Sequence, residues 1–533
     1  MNQALGIIPA PVKMSVEPGE FYIDATTTIF ADELNQKNGG FLHDFLAIST
    51  GFDLPIEEFT GEASTNSILI QIVTSPEEIG DEGYLLKITP EAVQISARSP
   101  QGIFYGIQTM RLLLPPSIES SQPIPNAEWT LPCADILDFP RFPYRGYMLD
   151  VGRNFFGIDL IKPILDVMAL LKMNVFHWHF TDDQGWRIEI KKYPKLVEIG
   201  SKRKDTQVGG LWKKNTTGRP HEGRYTQEEV KELVAYAAER YIKVIPEIEM
   251  PGHSLAALAA YPELSCTGGA FEVPTRFGVK KDVYCVGKDA VFDFLQGVLE
   301  EILEIFPSDI IHIGGDEVPK MRWKTCPDCQ VRIKAEGLQD EFDLQAYFMN
   351  RMASFLASRG RTVMGWNEIL HDNLQEGVIG QYWWGNRSTL LKHLRNGRKI
   401  VMSSSPRLYL DFDYVVSPLS LVYDYDPVPR KLEPTFNANV IGIETPLWTE
   451  WVRETKRVFF LTFPRLIAIA ETGWTPQAIK NFKSFKTRLI PFLQRMDLRG
   501  IKYTKLPKTE TNPLRRAMFF LHMLNEAKDS EFE

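Results

Sequence analysis

Asp309-Ile-Ile-His-Ile-Gly-Gly-Asp-Glu317 is the stretch on which the reading of this chain turns. Ile310 to Ile313, interrupted only by His312, has the β-branched character of a buried strand. Gly314 and Gly315 then let the backbone turn and approach whatever lies above it. Asp316 and Glu317 follow at the strand's C-terminal end, which in a barrel of parallel strands is the catalytic face. An arbitrary Asp-Glu pair is usually a solvated acidic turn. Here several other segments end in the same polar and aromatic residues, and that changes the reading.

Working outward from this stretch, strand-like and helix-like segments alternate from Phe142 onward. The strand candidates are Arg145–Val151, Asn174–Phe180, Lys243–Met250, Asp309–Gly314, Thr362–Trp366, Val378–Trp384, Lys399–Ser403 and Val440–Trp448. Helical spacing predicts Asp159–Lys172, Gln227–Tyr241, Ala290–Phe306, Leu344–Arg359 and Arg457–Glu471 between or after them. About eight strands alternating with helices predict an α/β fold, a (β/α)8 TIM barrel. A doubly wound open sheet is the rival, but no glycine-rich phosphate fingerprint follows any strand. Upstream, Ile68–Ile72 reads as a strand. Tyr84–Ile88 and Ala92–Ser96 read as a hairpin around Thr89-Pro90-Glu91, and Gly102–Leu114 as a helix ended by Pro115-Pro116. The expected organisation is a small α+β domain over 1–140, the catalytic barrel over 141–480, and a C-terminal helical segment over 481–533 packing on the barrel.

Bulk properties exclude several classes. The 533 residues exceed one ordinary core, and 44% hydrophobic with 24% charged residues is ordinary globular composition. A net charge of −8 argues against a nucleic-acid or anionic-membrane partner. No apolar run approaches the ~18 residues of a membrane span. The N-terminus, Met1-Asn2-Gln3-Ala4-Leu5, lacks a charged n-region and a long apolar h-region. The expectation is a cytoplasmic protein, or a secreted one if a signal peptide preceded this sequence. Five cysteines imply no disulfide scaffold. Cys266 and Cys285 could bridge a loop, and Cys326-Pro-Asp-Cys329 could pair locally. A lone Cys-x-x-Cys is weak evidence for zinc, and neither a metal nor a cofactor is expected.

The strand ends carry the chemistry. They lead to Asp150 and Arg153-Asn154; to His177-Trp-His179 and Asp182–Arg187; to Glu247, Glu249 and Pro251-Gly-His253; and to Asp316-Glu317. The later strands lead to Trp366-Asn-Glu368, Trp383-Trp384, Tyr409-Leu-Asp411 and Trp448-Thr-Glu450-Trp451. Carboxylates, an arginine and several indoles at one mouth describe a carbohydrate site. Aromatic faces cover a sugar's C–H patches while charged groups bind its hydroxyls. A second chemistry starts from His177-x-His179, two imidazoles on one strand face, which His253, His312 and Asp316 could complete as a zinc shell. The tryptophans would have no role in it. A catalytically dead sugar-binding protein is the third reading, and Glu317, Asp316 and Tyr409 together argue against it.

The sequence closely resembles the β-N-acetylhexosaminidases of glycoside hydrolase family 20. The resemblance rests on Arg145–Arg153, Asn174–Arg187, Pro246–His253, His312–Glu317, Tyr409–Asp411 and Trp448–Glu450. It implies an exo-acting, retaining enzyme that removes terminal β-linked N-acetylhexosamine with the substrate's own 2-acetamido oxygen as nucleophile. It implies Glu317 as general acid/base, Asp316 orienting the acetamide, and Tyr409 donating to its oxygen. Trp366, Trp383 and Trp448 would wall the pocket, and Arg153, Asp411 and Glu450 would hold sugar hydroxyls. Asp182 and His253 resemble the pair that tunes the acid, and Arg145 is expected to support the barrel floor. The implied partner is a carbohydrate with terminal N-acetylhexosamine. Nothing in the pattern specifies an oligomeric state, the aglycone, or a preference between gluco and galacto sugars.

Overall fold

A computed structural model describes residues 5–59, 61, 65–210, 213–512, 514 and 516–518. Eight parallel strands close into a barrel: β1 (Tyr144–Asp150), β2 (Val175–His179), β3 (Lys243–Glu247), β4 (Ile310–His312), β5 (Thr362–Trp366), β6 (Ile379–Tyr382), β7 (Ile400–Met402) and β8 (Val440–Leu447). Each lies within an expected segment or within one residue of it. β8 pairs with β1 from Gly442↔Tyr144 to Leu447↔Leu149, which closes the cylinder. Near the strands' N-terminal ends Tyr144, Val175, Ile245, Ile310, Met364, Ile379 and Val401 form an apolar plug of their own. Above it the barrel interior turns polar, and the site is built on that polar layer.

The helices follow the expected spacing with one correction. The single helix predicted over Arg457–Glu471 is two, Thr455–Thr462 and Arg465–Trp474. Pro464 lies between them. Its ring excludes the helical conformation from Phe463, which is extended at φ −108°, ψ 136°.

The N-terminal part is a seven-stranded mixed sheet whose order along the sheet is 13–23, 129–138, 84–88, 92–97, 67–72, 28–31 and 56–58. The expected hairpin is present, closed by Thr89 N–H donating to the Ala92 carbonyl. The sheet domain docks on the barrel through buried charge. Arg145, 1% exposed, donates to both carboxylate oxygens of Glu82 at 2.7 and 3.0 Å and to the carbonyls of Phe142 and Lys172. Its guanidinium also lies over the Trp474 ring at 5.1 Å. Beside it Lys172, fully buried, reaches Asp138 at 2.9 Å and the Tyr84 hydroxyl at 2.8 Å. Arg145 therefore supports the barrel floor, as expected, and also joins the floor to the sheet domain.

Helix Phe482–Leu498 contacts both the barrel and the sheet domain. Arg488 clasps Glu471 with two 2.7 Å hydrogen bonds, while Arg495 donates to the Leu112 carbonyl. The remainder of the C-terminal segment, beyond Met518, lies outside the described residues.

Removing one member of a buried ion pair leaves the other without compensation. Arg145→Ala is expected to cost on the order of 3 kcal/mol of stability, read as a lower melting temperature, with kcat/KM nearly unchanged at temperatures where it is folded. Loss of kcat/KM without loss of stability would place Arg145 at the site instead.

Candidate active site

All eleven side chains expected at the site come to the C-terminal mouth of the barrel, and five form a continuous ionic chain. Arg153, just past β1, meets Asp182 at 2.7 Å. Asp182 lies 3.4 Å from His253 Nδ1. On the far side of that ring, Nε2 is 3.5 Å from Asp316 and 3.6 Å from Glu317. Arg153 also stands 4.0 Å from Glu450 and stacks over Trp448 at 4.7 Å.

Local backbone explains how each group is held. The β1 end is tied to the β8 end by Asp150, whose carboxylate accepts from the N–H groups of Arg153 and Thr449. Arg187 is buried behind this turn and donates to the carbonyls of Val151, Gly152, Ser201 and Gly223. After β4, Gly314 and Gly315 have φ of +63° and +94°. A β-carbon on Gly314 would fall 1.7 Å from the Glu249 carboxylate, and one on Gly315 would fall 2.3 Å from Ile369. Both glycines are required by close approach as well as by φ. Glu317 and His253 themselves adopt φ of +49° and +46°, uncommon for residues with a side chain.

Aromatic rings form the opposite wall. Trp366 and Trp448 lie 5.6 Å apart between centroids, Tyr409 is 6.4 Å from Trp448, and Trp383 stacks on Tyr409 at 6.1 Å. The other strand-end indoles divide. Trp178 and Trp186 are buried core, packed against elements such as Phe180 and the Ile188 carbonyl, whereas Trp384 and Trp451 are exposed.

Burial and neighbouring charge set the protonation states. Burial disfavours the His253 imidazolium, but Asp182 and Asp316 prevail and hold its pKa well above the ordinary value. Burial opposes ionisation of Asp182 too, yet Arg153 and His253 keep it well below the usual carboxylate range. Arg153, desolvated but facing Asp182, Glu450 and Asp150, is held charged. Burial and the Glu450 charge push Asp411 up to about 8. Burial drives the Tyr409 hydroxyl well above its ordinary pKa, so it is a donor at neutral pH.

Several contributors lay outside the predicted set. Glu368, beside Trp366 and bonded to Trp383 Nε1 at 3.1 Å, is pushed up to about 7 by burial and by Asp316. Asn367 accepts from the Trp383 N–H at 2.9 Å and so positions that indole. Glu249 is buried beneath Gly314, and burial with the Asp316 and Glu247 charges holds it protonated. Each stands at a strand end, the same signal that singled out Glu317.

The imidazoles of the alternative zinc shell are engaged with carboxylates inside the barrel. His177 uses Nδ1 on Glu444 at 2.9 Å and Nε2 on Glu247 at 3.1 Å. His179 uses Nδ1 on Glu247 and Nε2 on Asp182 at 3.1 Å. His312 lies against Glu247 at 2.6 Å, while His253 and Asp316 sit apart at the mouth. The five do not converge on one point, and the strand-2 pair has no lone pair facing a common cation.

The comparisons with known proteins bear on the barrel and the sheet domain as wholes. Residues 142–477 match the family described as glycosyl hydrolase family 20, catalytic domain, and residues 4–139 match glycosyl hydrolase family 20, domain 2. The chain belongs to glycosyl hydrolase family 20. This family-20 chain is 41% identical over 515 residues to a β-hexosaminidase of Porphyromonas gingivalis, covering 94% of this chain and 64% of that protein's length. Its fold is similar to the solved family-20 β-N-acetylhexosaminidase from Streptomyces coelicolor, at TM-score 0.82 and 33% identity, covering 96% of this chain and 99% of that one. It is also similar to a mutant Streptomyces plicatus β-hexosaminidase solved with product GlcNAc, at TM-score 0.81 and 33% identity, covering 96% and 98%. The family-20 chain is thus a glycoside hydrolase with a (β/α)8 barrel.

Its buried histidines make stability pH-dependent. Despite desolvation, Glu444 and Glu247 raise His177 to about 9, and Glu247 with Asp182 raises His179 to about 10. A pKa raised on folding stabilises fully below the unfolded value of about 6.5 and is lost as pH climbs through the folded values. Glu247, depressed on folding, acts in acid and does not oppose this. The melting temperature is expected to fall between pH 7 and 10, measured by calorimetry, and the fall should begin at lower pH in Glu444→Gln. A flat profile in both proteins would contradict these protonation states.

Proposed function

We propose that this enzyme is an exo-acting β-N-acetylhexosaminidase that removes terminal, non-reducing β-linked N-acetylglucosamine or N-acetylgalactosamine with retention, through substrate-assisted catalysis. The observation that carries the proposal is that Asp316 and Glu317 both face one nitrogen of His253, within 3.6 Å. Two carboxylates of a conventional retaining pair sit about 5–5.5 Å apart on opposite sides of the scissile bond. Two neighbours at one imidazole serve one side of a sugar. They suit a reaction in which the 2-acetamido oxygen attacks its own anomeric carbon and effective molarity replaces a protein nucleophile.

In this mechanism Glu317 protonates the leaving oxygen and later takes a proton from water. Asp316 accepts the acetamide N–H and balances the positive charge of the oxazolinium ion. Tyr409, held protonated, donates to the acetamide oxygen. Trp366, Trp383 and Trp448 enclose the acetamide and the sugar face. Arg153 Nη1 is buried without a hydrogen-bond partner among the described residues, which leaves a charged donor for a sugar hydroxyl. Asp411 and Glu450 supply acceptors beside it.

The nucleophile roles open to other carboxylates are weak on this geometry. Asp182 is bound by Arg153, His179 and His253, and Glu249 is held protonated under Gly314. Glu450 faces Arg153, whose charge it offsets.

Glu317→Gln is expected to lower kcat by roughly 10²–10⁴-fold on a natural disaccharide, and by less on substrates whose leaving group needs no proton. Wild-type kcat in that variant would remove Glu317 from the role. A β-glucoside with a plain 2-hydroxyl should be inert, and successive fluorination of the acetamide should slow turnover progressively. A thiazoline shaped like the cyclised intermediate should bind far more tightly than the product sugar. A covalent adduct trapped with a 2-fluoro sugar on Asp182, Glu249 or Glu450, with a flat response to fluorination, would refute substrate assistance.

A further inference from the structure

Four of the five cysteines meet at one point beside the mouth of the barrel. Cys266 and Cys285 lie on the loop between β3 and helix Asp289–Ile305. Cys326 and Cys329 lie on the loop between β4 and helix Glu341–Ser358. All four sulfurs fall within 4.8 Å of one another. Cys285 is 3.6 Å from Cys326 and 3.7 Å from Cys329, and Cys266 is 3.8 Å from Cys329. Zinc bound tetrahedrally by thiolates at about 2.3 Å separates its sulfurs by about 3.8 Å, whereas a disulfide needs about 2.05 Å. Neither pairing that the sequence allowed, Cys266 with Cys285 or Cys326 with Cys329, is made, and all five thiols are free.

The backbone around the sulfurs is shaped to bring them together. An antiparallel bridge between Ser265 and Tyr284 sets Cys266 and Cys285 side by side, and Cys285 N–H donates to the Leu264 carbonyl. Gly287 lets this strand pair press on the other loop, because a β-carbon there would fall 2.2 Å from the Asp328 carbonyl carbon and 2.4 Å from Cys329 N. Cys326 caps helix Pro327–Ala335, and Cys329 lies in its first turn, where the helix dipole favours thiolates. Lys288 adds a cation close by, donating to the carbonyls of Glu263 and Ser265. Cys285, Cys326 and Cys329 are buried and Cys266 is half-buried.

We infer that Cys266, Cys285, Cys326 and Cys329 bind one zinc ion in a closed, structural tetrathiolate site that pins the β3 loop to the β4 loop. Zn²⁺ takes the four sulfurs as thiolates and their protons go to solvent, so no redox partner is involved. Four protein ligands leave no open position, which separates this site from catalysis. Its role is mechanical. The β3 loop carries His253 and the β4 loop carries Asp316 and Glu317, so the pin fixes the acid relative to the imidazole behind it. The site departs from the expectation of no metal, because Cys266 and Cys285 form no Cys-x-x-Cys pair and only the fold brings them to the one that exists.

The test is elemental analysis of the full chain purified from zinc-containing medium without chelator. About one zinc per chain is expected, falling below about one-tenth in Cys285→Ser and in Cys329→Ser. Stripping zinc under mild denaturation should lower the melting temperature by several degrees and speed hydrogen exchange in both loops. Refilling with Co²⁺ should give the intense visible bands of a tetrahedral thiolate complex. Should the variants fail to fold, the wild-type zinc content and cobalt spectrum decide alone. Metal-free protein whose reduced thiols take up neither zinc nor cobalt would overturn the inference. A disulfide among the four found by mass mapping, or iron in place of zinc at the same stoichiometry, would overturn it equally.

Discussion

The site depends on one buried carboxylate. Asp182 is buried, 2% exposed, and is matched by Arg153, His179 and His253 at once. Desolvating a carboxylate costs several kcal/mol, and only well-placed cations and hydrogen bonds offset it. Three partners approaching from the β1 end, β2 and the β3 loop therefore have little freedom to move apart. The same carboxylate keeps His253 protonated, and this fixes the charge that Asp316 and Glu317 face. Geometry and electrostatics at the mouth are consequences of one ion cluster.

Below that cluster the barrel interior is graded. Its lowest layer is apolar, from Tyr144 to Val401, as close packing favours. The next layer is ionic. Glu247 accepts from His179 and the Trp366 indole and lies against His177 and His312, while Glu444 joins His177, Tyr144 and Gln381. An apolar replacement for these groups could fill the same space. It could not orient Trp366, which forms part of the aromatic wall, nor hold His179 against Asp182. The polar layer thus carries positional information upward from the packed floor to the mouth.

Much of this was legible in the sequence, for identifiable reasons. The eight barrel strands are buried on both faces, so each reads as an apolar run, and the residues closing each run fall at the mouth because the strands are parallel. The N-terminal sheet was less legible. Lys13–Ile23 carries two glutamates and a Pro-Gly bulge, and most of its residues are exposed, so neither alternation nor apolar content marks it as a strand. Arg457–Glu471 misled because helical periodicity continues across Pro464, which hides the break. Glu368 stands among the strand-end residues but carries no role in the sequence reading, because its importance lies in a raised pKa, which depends on Asp316 arriving from a different strand. The cysteine cluster escaped for the same reason: Cys326 and Cys329 are a local pair, but the approach of Cys266 and Cys285 from another loop leaves no local pattern.

The adjacency of Asp316 and Glu317 in sequence would ordinarily send their side chains to opposite sides, since successive residues of an extended chain alternate. Here both reach the same nitrogen of His253. The backbone resolves the conflict by leaving the extended region at once after β4, with left-handed φ at Gly314, Gly315 and Glu317. Only glycine adopts the first two without cost, and the side chains of Glu249 and Ile369 occupy the space that any β-carbon there would need. Glu317 carries the remaining strain, of order 1 kcal/mol or more, which persists where surrounding structure over-determines it. Gln345 does part of that, donating to the Gly315 carbonyl at 2.7 Å, and the ion cluster behind His253 does the rest. A relaxed, extended 314–317 segment would separate the two carboxylates and leave neither able to serve one face of a sugar. The glycine pair is therefore part of the chemistry, because it converts two neighbours in sequence into two groups that act on one acetamido sugar.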